Sequence, residues 1–188
     1  MPDAENKVQF GLKNVHYAVW DGEKYLPPVA VPGVVNLNLA AEGELQKFYA
    51  DDVEFWTSNN NKGYSGDIEF ARVHEKMLQD VWGLRLSEKN KVLTEYANVE
   101  PKKVALLYEI NGDATGQKYC LYSVAMGRPN IGSKTTGENK DPTTQTCSLA
   151  ASPLASDGRV YSRTTTGTPK EVRDSWYKKV YEETEVAL

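Results

Sequence analysis

The sequence predicts a mainly β protein: a sandwich or barrel of two packed antiparallel sheets, with one short internal helix and one C-terminal helix. Three observations carry this. Apolar and polar residues alternate in successive short runs, as strands wet on one face require. Turn formers such as Asp21-Gly22, Pro32-Gly33 and Asp157-Gly158 separate those runs. Helical spacing appears in only two places.

Taken in order, Val15, Tyr17 and Val19 alternate with His16, Ala18 and Trp20 and stop at Asp21-Gly22. The Pro27-Pro28 pair excludes its neighbourhood from a central strand, since proline gives no ladder donor. The chain resumes at 29–31, breaks at Pro32-Gly33 and runs through 34–39. There Val35, Leu37 and Leu39 share one face and Asn36 and Asn38 the other. Residues 40–52, polar and broken by Gly43, read as a long loop.

The stretch EFWTSNNNKGYSGDIEFAR, residues 54–72, reads as a hairpin. Val53, Phe55 and Thr57 lead up to an exposed tip at 59–65, and Ile68 and Phe70 lead back. At 74–83 the period changes, and Met77, Leu78, Val81 and Trp82 share one face of a short helix closed by Gly83. A charged linker at 87–91 follows.

Val104–Ile110 is apolar on both faces except for Glu109, the mark of an inner strand. Asn111-Gly112-Asp113 turns it, and Lys118–Met126 returns. Residues 128–143, RPNIGSKTTGENKDPT, read as a second long polar arm. A strand at 146–151 precedes Asp157-Gly158 and another at 159–165. The last helix, 168–184, has Thr168 at the N-cap, Pro169 at N1 and Glu171 at N3, a capping box. Val172, Trp176 and Val180 form its apolar stripe. The whole chain, 1–188, reads as one domain with an N-terminal arm at 1–7.

A chain of 188 residues is long enough to bury a core without disulfide or metal. The net charge of −4 argues against a surface that grips nucleic acid. Cys120 and Cys147 lie in apolar runs and read as buried free thiols. The start has no apolar targeting core, and no run approaches membrane-span length, so a chain made in the cytoplasm without a membrane segment is expected.

Chemistry is approached and missed. His74-Glu75 opens like a zinc-protease helix, but Leu78 stands where the second histidine belongs. In Gly127-Arg128-Pro129-Asn130-Ile131-Gly132-Ser133-Lys134, Ser133 replaces the lysine of a phosphate loop. No Gly-x-Ser-x-Gly elbow occurs. Asp51 and Asp52 are neighbours and would point to opposite faces of an extended strand. No catalytic residue, cofactor or metal is expected. Tyr17, Trp20, Trp56, Tyr108 and Tyr122 lie in strand runs, where core or subunit packing explains them as well as sugar stacking does.

The ordered landmarks are FGLKNVHYAVW (10–20), VAVPGVVNLNL (29–39), FYADDVEFWTSNNNKGYSGDIEFA (48–71), VALLYEINGD (104–113), YSVAMGRP (122–129) and DSWYKKVY (174–181), within a likeness that covers about residues 8–181. In this order the chain resembles the major tail proteins that build the tail tube of long, flexible, non-contractile phages. The resemblance implies a sandwich flanked by a helix, and hexameric rings stacked into a hollow tube through which DNA passes without specific binding. It implies a virion-tail protein assembled in the host cytoplasm, with partners in further copies of itself, a tape-measure protein, and tail initiator and terminator proteins. It implies no catalytic residue. On this reading the two polar stretches contact adjacent subunits or rings, with Glu42, Glu44, Lys47, Phe48, Tyr49, Arg128, Asn130, Lys134 and Lys140 as candidate contacts. The alternative is a monomeric β-sandwich module that binds carbohydrate or a cell-surface partner.

Overall fold

Residues 11–110, 116–135 and 142–183 are described by the computed structural model. In chain order the elements are β1 (Leu12–Val19), β2 (Val29–Ala30), β3 (Val34–Ala50), β4 (Val53–Phe70), α1 (Glu75–Asp80), β5 (Arg85–Leu86), β6 (Leu93–Thr94), β7 (Val104–Ile110), β8 (Lys118–Met126), β9 (Gln145–Ala151), β10 (Tyr161–Arg163) and α2 (Lys170–Ser175). The protein is mainly β. A large antiparallel sheet runs β2-β1-β7-β8-β9-β4-β3, with β10 also paired to β8, and β5 and β6 form a second, two-stranded sheet.

β7 shows why the sheet has a core on each face. Val104 and Leu106 point to one side and join Ile68, Phe70, Leu121, Val124 and Met126 under Met77, Val81 and Trp82 of the α1 region. Ala105 and Leu107 point to the other and join Cys120 and Tyr122 beneath Trp176 and Val180. An inner strand covered on both faces must be apolar at every step, which is how β7 reads. Polar anchors fix the two covers. Tyr17 donates to Asp80 at 2.7 Å and the Trp82 indole to the Gly127 carbonyl at 2.9 Å. On the other face the Trp176 indole donates to the Tyr119 carbonyl at 3.3 Å, and Tyr122 donates to the Tyr181 carbonyl at 2.8 Å.

Several expectations hold, the internal helix over a shorter span than the expected 74–83. The strands at Val104–Ile110 and Lys118–Met126 are as read, the internal helix occupies Glu75–Asp80, and Cys120 and Cys147 are buried free thiols. Burial pushes both thiols up to about 12. Others change. Residues 40–52 are not a loop: β3 continues unbroken to Ala50. The tip at 59–65 is not a turn either, because Asn59, Asn60 and Asn61 pair across with Leu45, Glu44 and Gly43. The turn lies at Asp51 and Asp52, with φ of 52° and 61°. Two successive left-handed residues are what a tight hairpin needs, and Asp tolerates them better than most.

Val35 leaves the core face because a register shift between Val34 and Asn36 lets Val34 pack inward in its place. The linker at 87–91 is the turn of the small β5–β6 hairpin. The last helix is only Lys170–Ser175, and its capping box does not form. Pro169 is the N-cap, and the Thr168 hydroxyl instead accepts from the Thr165 amide at 2.8 Å. Trp176 and Val180 are nevertheless buried as expected. The arm at 1–7, the turn at 111–113 and Lys140 lie outside the described residues.

Candidate assembly surface: a projecting hairpin and an open edge

β3 and β4 outrun the sheet. β4 pairs with β9 from Phe70 only as far as Tyr64, opposite Ala151. Beyond that point, among the described residues, β3 and β4 pair only with each other and form a two-stranded ribbon closed at Asp51-Asp52. Roughly nine residues per strand at ~3.3 Å each carry the tip about 30 Å from the sheet.

The root of this arm is set by two glycines. A Cβ on Gly63 would lie 1.9 Å from the Ala151 carbonyl oxygen, and one on Gly43 would lie 2.0 Å from that of Asn60. Both have positive φ, 103° and 149°. A register shift falls between Glu42 and Gly43, so the ribbon changes its pairing where it leaves β9.

Large apolar side chains crowd the outer half of the arm and are not buried. Leu45, Phe48, Tyr49, Val53, Phe55 and Trp56 are all exposed, Phe55 at 72% and Trp56 at 54%. Phe48 lies directly opposite Trp56, so the two share a face of the ribbon. Phe55 falls at a second register shift, between Phe48 and Tyr49 on the partner strand. Lys47 and Glu54 form an ion pair at 2.7 Å, and the Thr57 hydroxyl donates to the same carboxylate. Lys47, then Thr57, holds the Glu54 carboxyl below its ordinary range. Trp56, read from sequence as strand-packed, has no core around it.

Five of the predicted contact residues therefore lie in one ribbon. Glu42 is at its root, where the Ser65 hydroxyl donates to it, and Glu44 is opposite Asn60. Lys47, Phe48 and Tyr49 follow outward. The second group is elsewhere. Asn130 accepts from the Thr146 amide through its side chain and donates to the Thr146 carbonyl through its own amide. Thr146 lies opposite Glu69, six residues along β4 from the arm root. Arg128 pairs with Glu95 at 2.9 Å, and Lys134 is exposed further along that loop. Between them Ile131 is 91% exposed, a residue the sequence reading did not single out. Among the described residues the two groups are thus displaced in opposite directions along β4.

The free side of β3 is the other element of this surface. β3 is hydrogen-bonded to β4 alone and ends the strand order; its first part faces Leu12 of β1 across a seam, and the rest of its edge is unpaired among the described residues. No group of three or more His, Cys, Asp or Glu placed to hold a metal occurs among the described residues.

No protein-family model and no curated protein matches the chain. Among solved structures it is similar to a chain of the anti-feeding prophage baseplate, determined by cryo-EM with 6-fold symmetry. That match has 10% identity and a TM-score of 0.49, and covers 88% of this chain and 99% of that one. It is also similar to a chain of the anti-feeding prophage cap, which terminates the tube, with 10% identity, a TM-score of 0.47, and coverage of 88% and 98%. Likeness at that distance carries neither family nor function to this chain.

Proposed function

We propose that the protein is a structural subunit of a phage tail tube, assembling through its arm and open edge into stacked hexameric rings around a lumen that conducts DNA. One observation carries the self-assembly: six large apolar side chains stand exposed on a ribbon that has no core of its own. An isolated two-stranded ribbon is at best marginally stable in water, and contiguous exposed apolar surface marks an interaction site. Beside it runs a long unpaired strand edge, which soluble monomers normally shorten, charge or cover. Pairing edge to edge around a closed ring satisfies both demands at once.

The ring number, the tube and the companion proteins come from the ordered sequence landmarks. Within this reading the arm contacts a neighbouring subunit, while Arg128, Asn130 and Lys134 serve a second contact at the far end of β4. No step of this function needs a reactive group.

Phe48 and Trp56, opposite each other on one face of the ribbon, give the competing reading, a sugar-binding module, its one foothold. Negative-stain electron microscopy of dilute and concentrated protein, alone and with tail-initiator components, separates the two. Rings or hollow tubes support the subunit. Scattered particles under every condition, together with reproducible hits on a glycan array, support the sugar-binding module.

A further inference from the structure

The acidic tip of the arm needs a receiving surface, and the structure offers one. A cleft of about 320 Å³ lies where α1 meets the β1–β2 flank, with an apolar floor from Leu26, Pro27 and Val29 and with Lys76, Asp80 and Lys102 around it. We propose that this cleft is the receptor for the Asp51-Asp52 tip of the arm from a second copy of the chain, making a head-to-tail contact. The proposal rests on the reading of the chain as a self-assembling subunit and names the two surfaces that meet.

Charge selects the pair. Asp80 accepts from Tyr17 at 2.7 Å and from Lys76 at 2.8 Å, so its negative charge is already held within the chain. Lys102 has no side-chain partner among the described residues, and its backbone is fixed by a bond from its amide to the Val81 carbonyl at 2.7 Å. Two lysines against one aspartate leave the cleft positive. The tip presents Asp51 and Asp52 at the turn, flanked by exposed Tyr49 and Val53. Acid on lysine and apolar flank on apolar floor match on both counts.

Two larger clefts fit less well. The seam of about 550 Å³ lined by Leu12, Leu37, Leu39, Tyr108 and Ile110 carries no charged side chain. The cleft of about 500 Å³ at the C-terminal segment sets Lys24 and Lys179 against Glu171 and Glu182, with no net preference for an acid. Tip-to-tip pairing would bring four carboxylates together.

Geometry agrees with a head-to-tail contact. The arm runs out from β3 and β4 beyond β9, whereas the cleft is built by α1 and the β1–β2 connection, so the two surfaces use different residues and cannot be one self-complementary patch. Each copy therefore presents both halves, and such heterologous contacts close into rings or run on as filaments.

The test is a charge swap. Asp51→Lys with Asp52→Lys makes a variant reversed at the tip, and Lys102→Asp makes one reversed in the cleft. Lys102 is exposed, so Lys102→Asp is expected to melt with the wild type. Lysine suits the left-handed turn at 51 and 52 less well than aspartate. Asp51→Asn with Asp52→Asn, which keeps the turn and removes the charge, therefore serves as the control for the tip's shape and should also weaken assembly. Each reversed variant alone should need at least about tenfold more protein to assemble, because like charges then face each other. Mixed in equal amounts they should co-assemble near the wild-type concentration, because every tip then finds a complementary cleft in alternation. Sedimentation velocity reads the oligomers and electron microscopy their shape. A mixture no better than its components, or a Lys102→Asp variant that assembles like the wild type, overturns the docking while leaving any wild-type tubes intact. Open head-to-tail oligomers rescued by mixing but never closing remove the tube and leave the docking. A wild type that stays monomeric at its highest soluble concentration, with or without initiator components, overturns both.

Discussion

β4 is one strand with two environments. From residue 64 to 70 it lies between β3 and β9, and Ile68 and Phe70 are fully buried. From 53 to 62 it has β3 alone for company, and Phe55 and Trp56 face water. Both halves carry large apolar residues in strand-like spacing. In the sheet half the burial of those residues is complete within the chain, and the fold follows from it. In the arm half nothing among the described residues covers them, and in the proposed assembly their burial comes from another molecule.

The sharpest way to break this comparison is to remove one half. Replacing residues 44–60 by Asn-Gly joins Gly43 to Asn61, which already face each other, through a two-residue turn that hairpins favour. The body should melt within about 4 °C of the wild type, read by circular dichroism, while assembly disappears from electron micrographs. A truncated protein that still polymerises separates the arm from assembly.

Single residues should divide the same way. Leu106→Ala, in the body, should cost about 2–5 kcal/mol in denaturant unfolding, because it leaves a cavity in a packed core. Phe55→Ala should stay within about 0.5 kcal/mol of the wild-type monomer and still weaken assembly. Gly63→Ala tests the junction. Its Cβ would strike the Ala151 carbonyl at a φ that disfavours any side chain, so a loss of about 1–3 kcal/mol is expected.

The smallest effect is acidic. Lys47 holds the Glu54 carboxyl low, so the ion pair is complete above the ordinary carboxylate range and is lost as pH falls through the lowered value. Trp56 fluorescence should change over that interval without any change in the body, and Lys47→Met should abolish the change.

Much of the body was legible because its chemistry is local. The runs of β7 and β8 are bounded by turns and alternate or saturate as strands do, and the face of α1 repeats at helical spacing. The arm was misread for a physical reason. Its Asn59-Asn60-Asn61-Lys62-Gly63 stretch has turn composition, yet Asn59 to Lys62 lie exposed in the ribbon, where polar groups meet no penalty, and Gly63 is needed for close approach to Ala151. The true turn, Asp51-Asp52, lacked glycine and sat inside a segment already read as a loop. The register shifts that expel Val35 and mark Phe55 depend on pairing partners and leave no trace in spacing. The failed capping box at Thr168 is of the same kind: the hydroxyl found a nearer amide at Thr165. Of the candidate site, the arm residues were found for a partly wrong reason, as members of a loop. Ile131 and the cleft beside Lys102 are products of tertiary placement alone.

Hydrogen exchange of monomer and assembled protein, compared peptide by peptide, tests most directly whether the arm is the half completed by another molecule. The account predicts fast exchange across residues 44–60 in the monomer, and slowing on assembly concentrated there and in the segments that receive the arm. An arm that exchanges as freely in the assembly as in the monomer, with the new protection confined to the body, would contradict it.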